Sequence, residues 1–139
     1  MKNNQLKLSG WLVGALCFTM AIGAVAENRV TRSPLDGRTF VGETGSKGKK
    51  ADGPDTLTFA NGLFRSSACD SYGFGEAPYV TSLVKDGVRF EATTKSTLHG
   101  KIVWSGVIRG DQLEGTFVWK PRLGKAKPYW VRASLDAKN

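Results

Sequence analysis

The chain has 139 residues, with 20 Lys and Arg against 12 Asp and Glu, which gives a formal net charge of +8 at pH 7. This length suits one domain and excludes multidomain machinery. The basic excess favours anionic partners over cationic ones.

The N-terminus has the three parts of a secretory signal peptide. Lys2 and Lys7 make the start positive, residues 11–22 form a short apolar core, and Ala24-Val25-Ala26 supplies small residues for cleavage. The apolar core is shorter than the ~20 residues that a membrane-spanning helix needs. We therefore expect residues 1–26 to be a signal peptide that is cleaved after Ala26, and residues 27–139 to be one periplasmic or secreted domain.

The mature chain is dominated by apolar residues at alternate positions. Ile102, Trp104 and Ile108 fall on one side of an extended segment, and Ser105 and Arg109 fall on the other. A strand that packs one face on a core and turns the other to water shows this period of two. The sequence therefore predicts an all-β domain with essentially no helix after residue 26.

Three turn signals separate these alternating segments at nearly equal spacing. They are Asn61-Gly62, Asp86-Gly87 and Gly110-Asp111. Asn-Gly and Asp-Gly favour tight hairpins because both central residues of the turn adopt positive φ. The spacing predicts a regular antiparallel meander.

Eight strands are predicted in this meander. They are Thr39–Thr44, Thr56–Ala60, Leu63–Cys69, Tyr79–Lys85, Val88–Thr94, Lys101–Arg109, Gln112–Lys120 and Tyr129–Leu135. Because sequential strands with one apolar face must hide their edges, we predict an eight-stranded antiparallel up-and-down β-barrel. A two-sheet β-sandwich is the alternative.

An exported eight-strand meander of this size resembles the calycin group, which includes the lipocalin and avidin-like barrels. Residues 36–43 lie where lipocalins carry a Gly-x-Trp motif, and they contain no Trp, so the resemblance is one of architecture. The chain is also similar to uncharacterised small secreted bacterial proteins, through pieces such as Phe40-x-Gly42-Glu43 and Asp55-x-Leu57-x-Phe59. The calycin resemblance implies a lipocalin-like binding barrel for a small ligand, without a cofactor.

Two predicted loops are rich in basic residues and are candidate anion-binding sites. Their basic residues are Lys47, Lys49, Lys50, Arg122, Lys125 and Lys127. The loops follow the first and the seventh strands, which both flank the eighth strand if the barrel closes, so we expect them at the same rim. There they would attract an anionic ligand or an anionic component of the cell envelope.

The aromatic candidates lie on the predicted sixth and seventh strands. Trp104 and Trp119 are on the apolar faces of the two strands, and the turn at 110–111 places them nearly opposite each other. With Phe117 they form the predicted aromatic wall of a ligand cavity. The alternative is that these rings are plain barrel core.

Cys69 is the one cysteine of the mature chain, so it cannot form an intramolecular disulfide. Nucleophilic catalysis by a thiolate would use the one histidine, His99, as its base. A small buried cysteine at the end of a strand is the alternative. Two residues of this kind are too few for a zinc site.

Three functional hypotheses follow. The first is an exported non-enzymatic binding barrel for a small amphipathic or anionic ligand. The second is an envelope-interaction or inhibitor protein that acts through its loops, and the third is a thiol-dependent enzyme around Cys69. Nucleic acid is not expected as a partner because export separates the protein from it, and no segment after residue 26 could cross a bilayer.

The signal-peptide hypothesis predicts the N-terminus of the exported protein. We expect N-terminal sequencing of the protein recovered from the producing cell to begin at Glu27. Soluble cytoplasmic protein that still begins at Met1 would contradict this prediction.

Overall fold

The computed structural model describes residues 33–138, so the predicted signal peptide and its cleavage site lie outside the described residues. The described residues form eight strands and one 3₁₀ helix, η1. In chain order they are β1 (Arg38–Ser46), β2 (Gly53–Ala60), β3 (Leu63–Ser66), η1 (Ser67–Tyr72), β4 (Glu76–Val84), β5 (Gly87–Ser96), β6 (Gly100–Arg109), β7 (Gln112–Lys120) and β8 (Lys127–Leu135). Within residues 33–138, no helix is both long and apolar enough to cross a membrane.

The strands form one closed antiparallel barrel in which each strand pairs with its neighbours in sequence. The barrel closes where β1 pairs with β8, from Phe40 opposite Leu135 to Ser46 opposite Tyr129. The predicted all-β up-and-down barrel is confirmed, and the alternative β-sandwich is wrong. Closure leaves no unpaired edge among the described strands, which removes the usual site of edge-to-edge aggregation.

The third strand is shorter than predicted. β3 ends at Ser66, and the chain then turns into η1, where the sequence pattern predicted a strand as far as Cys69. The expectation of essentially no helix is therefore wrong for these six residues. The cause is a set of hydrogen bonds from Ser66, Ser67 and Ala68 to Asp55 on β2, because serine and aspartate side chains can bind backbone groups in place of a strand partner.

The three predicted hairpins are present, but their turns differ in backbone conformation. Asn61 and Gly62 both have positive φ, 53° and 76°, as a type I′ turn requires. In the second hairpin Val84 pairs with Gly87, so the central residues are Lys85 and Asp86, and of these two only Asp86 has positive φ. Positive φ at both central positions is therefore confirmed for the first hairpin and wrong for the second.

In the third hairpin the central residues are Gly110 and Asp111, because Arg109 pairs with Gln112. Gly110 has a φ of 59°, whereas Asp111 does not have positive φ. One residue with positive φ is sufficient for these two turns.

Inward-facing aromatic rings fill one part of the barrel. Phe59 lies at the centre, with its ring centroid 5.3 Å from that of Phe64, 5.1 Å from that of Tyr79 and 5.0 Å from that of Phe90. Several of these pairs meet edge to face, which is a favoured geometry for aromatic rings. Leu35, in the turn before β1, is fully buried against this cluster.

The two ends of the barrel are different. The end that we call the closed end carries the three hairpin turns and the segment around Leu35. The end that we call the open end carries the connections 47–52, 67–75, 97–99 and 121–126. An up-and-down barrel places alternate connections at opposite ends, so the four longer connections lie together.

β1 and β8 approach each other closely at Gly42, which is opposite Ala133. A Cβ atom at residue 42 would overlap the backbone carbonyl oxygen of Arg132 and lie 2.5 Å from the Cα atom of Ala133. These backbone atoms can move away only if the strands separate. Glycine at this position therefore permits barrel closure.

This contact predicts a specific loss of stability. Gly42→Ala should lower the free energy of unfolding by about 1–3 kcal/mol, because the added methyl group forces the two strands apart. Urea denaturation measures the change. The control is Gly53→Ala at the start of β2, where a Cβ atom has no neighbour within 4 Å and the change should be close to zero; equal effects of the two substitutions would contradict the argument.

Candidate functional site

The open end of the barrel contains a pocket of about 430 Å³. It lies above the buried aromatic cluster, and both strand residues and open-end connections contribute to its wall. Its lining residues are Thr44, Asp52, Gly53, Pro54, Asp55, Ala68, Cys69, Tyr72, Phe74, His99, Ile102, Phe117, Trp119 and Tyr129. Volumes of this size are typical of small-molecule sites.

Stacked aromatic rings form one wall of the pocket and continue into the core. The rings of Phe117 and Tyr129 are nearly parallel, 4° apart, with centroids separated by 4.9 Å. Phe117 also stacks on Trp104, with centroids 4.2 Å apart. Trp104 is fully buried below the pocket, where its indole N–H donates to Thr94 Oγ1 over 3.2 Å.

The register of β6 and β7 explains why the two tryptophans differ in depth. Trp104 pairs with Phe117, and Trp119 pairs with Ile102. Trp119 is therefore two positions nearer the open end than the residue opposite Trp104, as the nearly opposite arrangement predicted from the turn implies. Phe117 and Trp119 line the pocket, whereas Trp104 supports the wall from below.

Trp119 is held in place from two sides. Its indole N–H donates to the backbone carbonyl of His99 over 2.8 Å. The ammonium group of Lys127 lies 5.0 Å from the centre of the indole ring, at cation–π distance. The half-buried ring thus has an apolar face in the pocket and a cation beside it.

A buried carboxylate, that of Asp55 on β2, also lines the pocket. Asp55 Oδ2 accepts a hydrogen bond of 2.6 Å from Ser66 Oγ, and Oδ1 accepts one of 3.0 Å from the Ala68 N–H and one of 3.3 Å from Ser67 Oγ. Burial raises the pKa of Asp55 above its usual value, although these hydrogen bonds act in the opposite direction. Asp55 therefore fixes η1 against β2.

Two further contacts fix η1 from other strands. The Arg65 guanidinium on β3 forms a bidentate ion pair with the Asp70 carboxylate. Ser96 Oγ at the end of β5 donates to the Tyr72 carbonyl over 2.7 Å, and it accepts the His99 N–H over 3.2 Å. The helix and the 97–99 connection are thus linked through one serine.

The candidate catalytic pair, Cys69 and His99, lies in this pocket. Both residues line it, and the His99 ring packs edge-on against Tyr72 with centroids 5.7 Å apart. Burial raises the pKa of the Cys69 thiol to about 11, so the thiolate that catalysis needs is scarce near neutral pH. Within residues 33–138, no three His, Cys, Asp or Glu side chains are grouped so that they could hold a metal ion.

The basic candidate residues all lie at the open end but outside the pocket wall. Lys47, Lys49 and Lys50 are in the connection 47–52, and Arg122 and Lys125 are in the connection 121–126. Lys127 begins β8. Among the described residues, the pocket lining contains no lysine or arginine; its carboxylates are those of Asp52 and Asp55.

The sequence analysis missed part of this wall. Asp55 lies two residues before the inward-facing Leu57 and four before Phe59, so the alternating pattern of β2 could have shown that its carboxylate faces inward. Tyr129 is in phase with the inward-facing Val131 in the same way. The positions of Tyr72 and Phe74 in the pocket could not be inferred from the strand pattern, because the turn that η1 makes brings both residues there.

The geometry of Asp55 and Cys69 predicts the reactivity of the thiol. Because the pKa of Cys69 rises from 9.0 to about 11, native protein at pH 8 should react with iodoacetamide about a hundredfold more slowly than unfolded protein. The folded state also holds the thiol proton more tightly than the unfolded chain does. The contribution of the protonated Cys69 thiol to the free energy of unfolding is therefore present below pH 9 and is lost as the pH rises towards 11.

Asp55→Ala should accelerate labelling of Cys69 in the native state, because η1 loses its anchor on β2. It should also lower the free energy of unfolding by about 1–3 kcal/mol, since Ser66 and Ala68 are left with unpaired donors. Asp52→Ala is the matched control, because Asp52 also lines the pocket but its carboxylate accepts hydrogen bonds from Ser46. Unchanged labelling in Asp55→Ala would contradict the role given to this carboxylate.

No protein-family model, curated protein or solved structure matches the chain. The fold described here is therefore established by strand order and register within the chain itself.

Proposed function

We propose that the protein is an exported, non-enzymatic binding protein of calycin-like type, and that its open-end pocket takes a small amphipathic ligand. The observation that carries the proposal is the division of the barrel interior. Aromatic rings fill the part towards the closed end, and a pocket of about 430 Å³ occupies the part towards the open end. Such a pocket gives a small ligand access to aromatic rings that a fully packed barrel would keep buried.

The pocket wall favours a ligand with a flat apolar part. Phe117, Trp119 and Tyr129 offer aromatic surface on one side, and Ile102 and Phe74 add apolar surface. Offset or parallel stacking on such rings provides both affinity and orientation. The few polar groups in the wall supply specificity, as in most small-molecule sites.

The polar part of the ligand is best placed outside the wall. The carboxylates of Asp52 and Asp55 disfavour an anion deep in the pocket, whereas Lys127 lies directly beside the Trp119 ring. The other basic residues of the open-end connections lie at the same end of the barrel. A ligand fits both the acidic interior and the basic mouth if its apolar part lies inside the pocket and its anionic head group lies at the mouth.

The state of Cys69 favours binding over catalysis. A thiol with a pKa of about 11 is protonated at neutral pH, and a protonated thiol is a weak nucleophile. Its burial instead gives the pocket wall a small soft surface. An exported location, periplasmic or secreted, belongs to the proposal and is tested by the N-terminus of the mature protein.

Two related dyes test the proposed ligand class. 1-Anilinonaphthalene-8-sulfonate and N-phenyl-1-naphthylamine share their aromatic rings, but only the first carries a sulfonate. We expect both dyes to bind the folded exported protein with increased fluorescence. We expect added salt to weaken the binding of the sulfonate dye only, because exposed charges are screened over ~8–10 Å at physiological salt.

The chain offers a matched control for the aromatic wall. Trp119 and Trp130 are both half-buried, both donate their indole N–H to a backbone carbonyl, and both have a basic side chain over the ring. Trp119 lines the pocket, whereas Trp130 lies with Arg132 and Lys49 in a separate surface depression. Trp119→Ala should weaken dye binding about tenfold, and Trp130→Ala should leave it unchanged; equal losses, or no dye binding at all, would refute the proposal.

A further inference from the structure

The charge of the molecule is distributed unevenly between the two ends of the barrel. We compare the connections at each end together with the two strand residues that flank them. The open-end residues are 45–54, 65–77, 95–101 and 119–128, and the closed-end residues are 33–39, 59–64, 83–88, 108–113 and 134–138. The open-end set has ten Lys and Arg against three Asp and Glu, a net charge of +7, whereas the closed-end set has four of each and a net charge of zero.

Two leucines at the open end are exposed to solvent. Leu98 in the connection 97–99 is 78% exposed, and Leu123 in the connection 121–126 is 90% exposed. The Arg122 guanidinium donates to the Thr97 carbonyl over 2.7 Å. Since Thr97 precedes Leu98 and Arg122 precedes Leu123, this hydrogen bond holds the two leucine-bearing segments together.

Further basic residues lie on the leucine-bearing segments. Lys95 and Lys101 flank the 97–99 connection, and Lys120 and Lys125 flank the other leucine; all four side chains are exposed. Large apolar side chains at the tips of loops, surrounded by cations, are the pattern of proteins that dock on a lipid interface.

We propose that the open end docks on an anionic lipid bilayer, with Leu98 and Leu123 inserted among the acyl chains and the surrounding Lys and Arg on the head groups. The cations alone would suit any polyanion. The leucines favour a bilayer over a soluble polyanion, because their transfer out of water is favourable only where an apolar phase receives them. Docking in this orientation places the mouth of the pocket against the membrane.

This proposal does not depend on the proposed function. The docking surface is made of exposed residues outside the pocket wall, and it is present without a ligand in the pocket. Vesicle binding by a protein that binds neither dye would therefore support docking and refute the ligand pocket, and the reverse result would refute docking alone.

Sedimentation with vesicles tests the surface. The purified exported protein, its N-terminus verified by mass spectrometry, is mixed with vesicles of phosphatidylcholine alone or of equal parts phosphatidylcholine and phosphatidylglycerol. We expect binding only to the anionic vesicles. Replacing both Leu98 and Leu123 with Ser should lower the partition coefficient about tenfold or more, because each leucine loses apolar burial.

The closed end supplies the matched controls. Leu83 is 85% exposed next to the hairpin at Lys85 and Asp86, so Leu83→Ser should not change vesicle binding. Lys125→Glu should weaken binding severalfold, and Lys85→Glu should not. Circular dichroism confirms that the variants are folded.

An environment-sensitive dye reports the orientation directly. In a Cys69→Ser background, a nitrobenzoxadiazole label on Leu123→Cys should brighten and shift to the blue with anionic vesicles, whereas the same label on Leu83→Cys should not. Vesicle binding that is insensitive to the two leucines, or equal binding to dextran sulfate, would assign the surface to a soluble polyanion and overturn the proposal.

Discussion

Closure of the sheet between β1 and β8 is the constraint on which the rest of the molecule depends. It requires glycine at position 42, where the two backbones come into contact. Once the barrel is closed, its four longer connections lie at one end. Pocket, basic residues and exposed leucines share that end for this topological reason, although they are far apart in the sequence.

The interior is divided because some inward-facing positions near the open end carry small or polar side chains in place of large apolar ones. Phe40, Phe59, Phe64 and Phe90 fill the space near the closed end with rings, whereas the inward positions near the open end include the small or polar Thr44 and Asp55. Asp55 costs desolvation free energy, as the rise in its pKa shows. The same carboxylate holds η1 against β2, so this part of the pocket wall is fixed.

Local sequence patterns were sufficient for the strands but not for the site. β7 was predicted to the residue, whereas β2, β4 and β8 begin two or three residues earlier than predicted because each contains a proline near its start: Pro54, Pro78 and Pro128. Proline interrupts the alternating pattern, yet it is tolerated in the first residues of a strand. The helix η1 could not be predicted from local pattern, because it depends on Asp55, which lies 11 to 13 residues earlier in the chain.

The unequal charge of the two ends also gives the molecule an electric dipole along the barrel axis. A charged particle that approaches at low ionic strength experiences a torque on this dipole before any contact forms. The protein would therefore meet an anion with its open end forward, and unproductive orientations would be less frequent. Charge at positions that never touch the ligand thus sets the rate of encounter, while the aromatic wall determines how long the complex lasts.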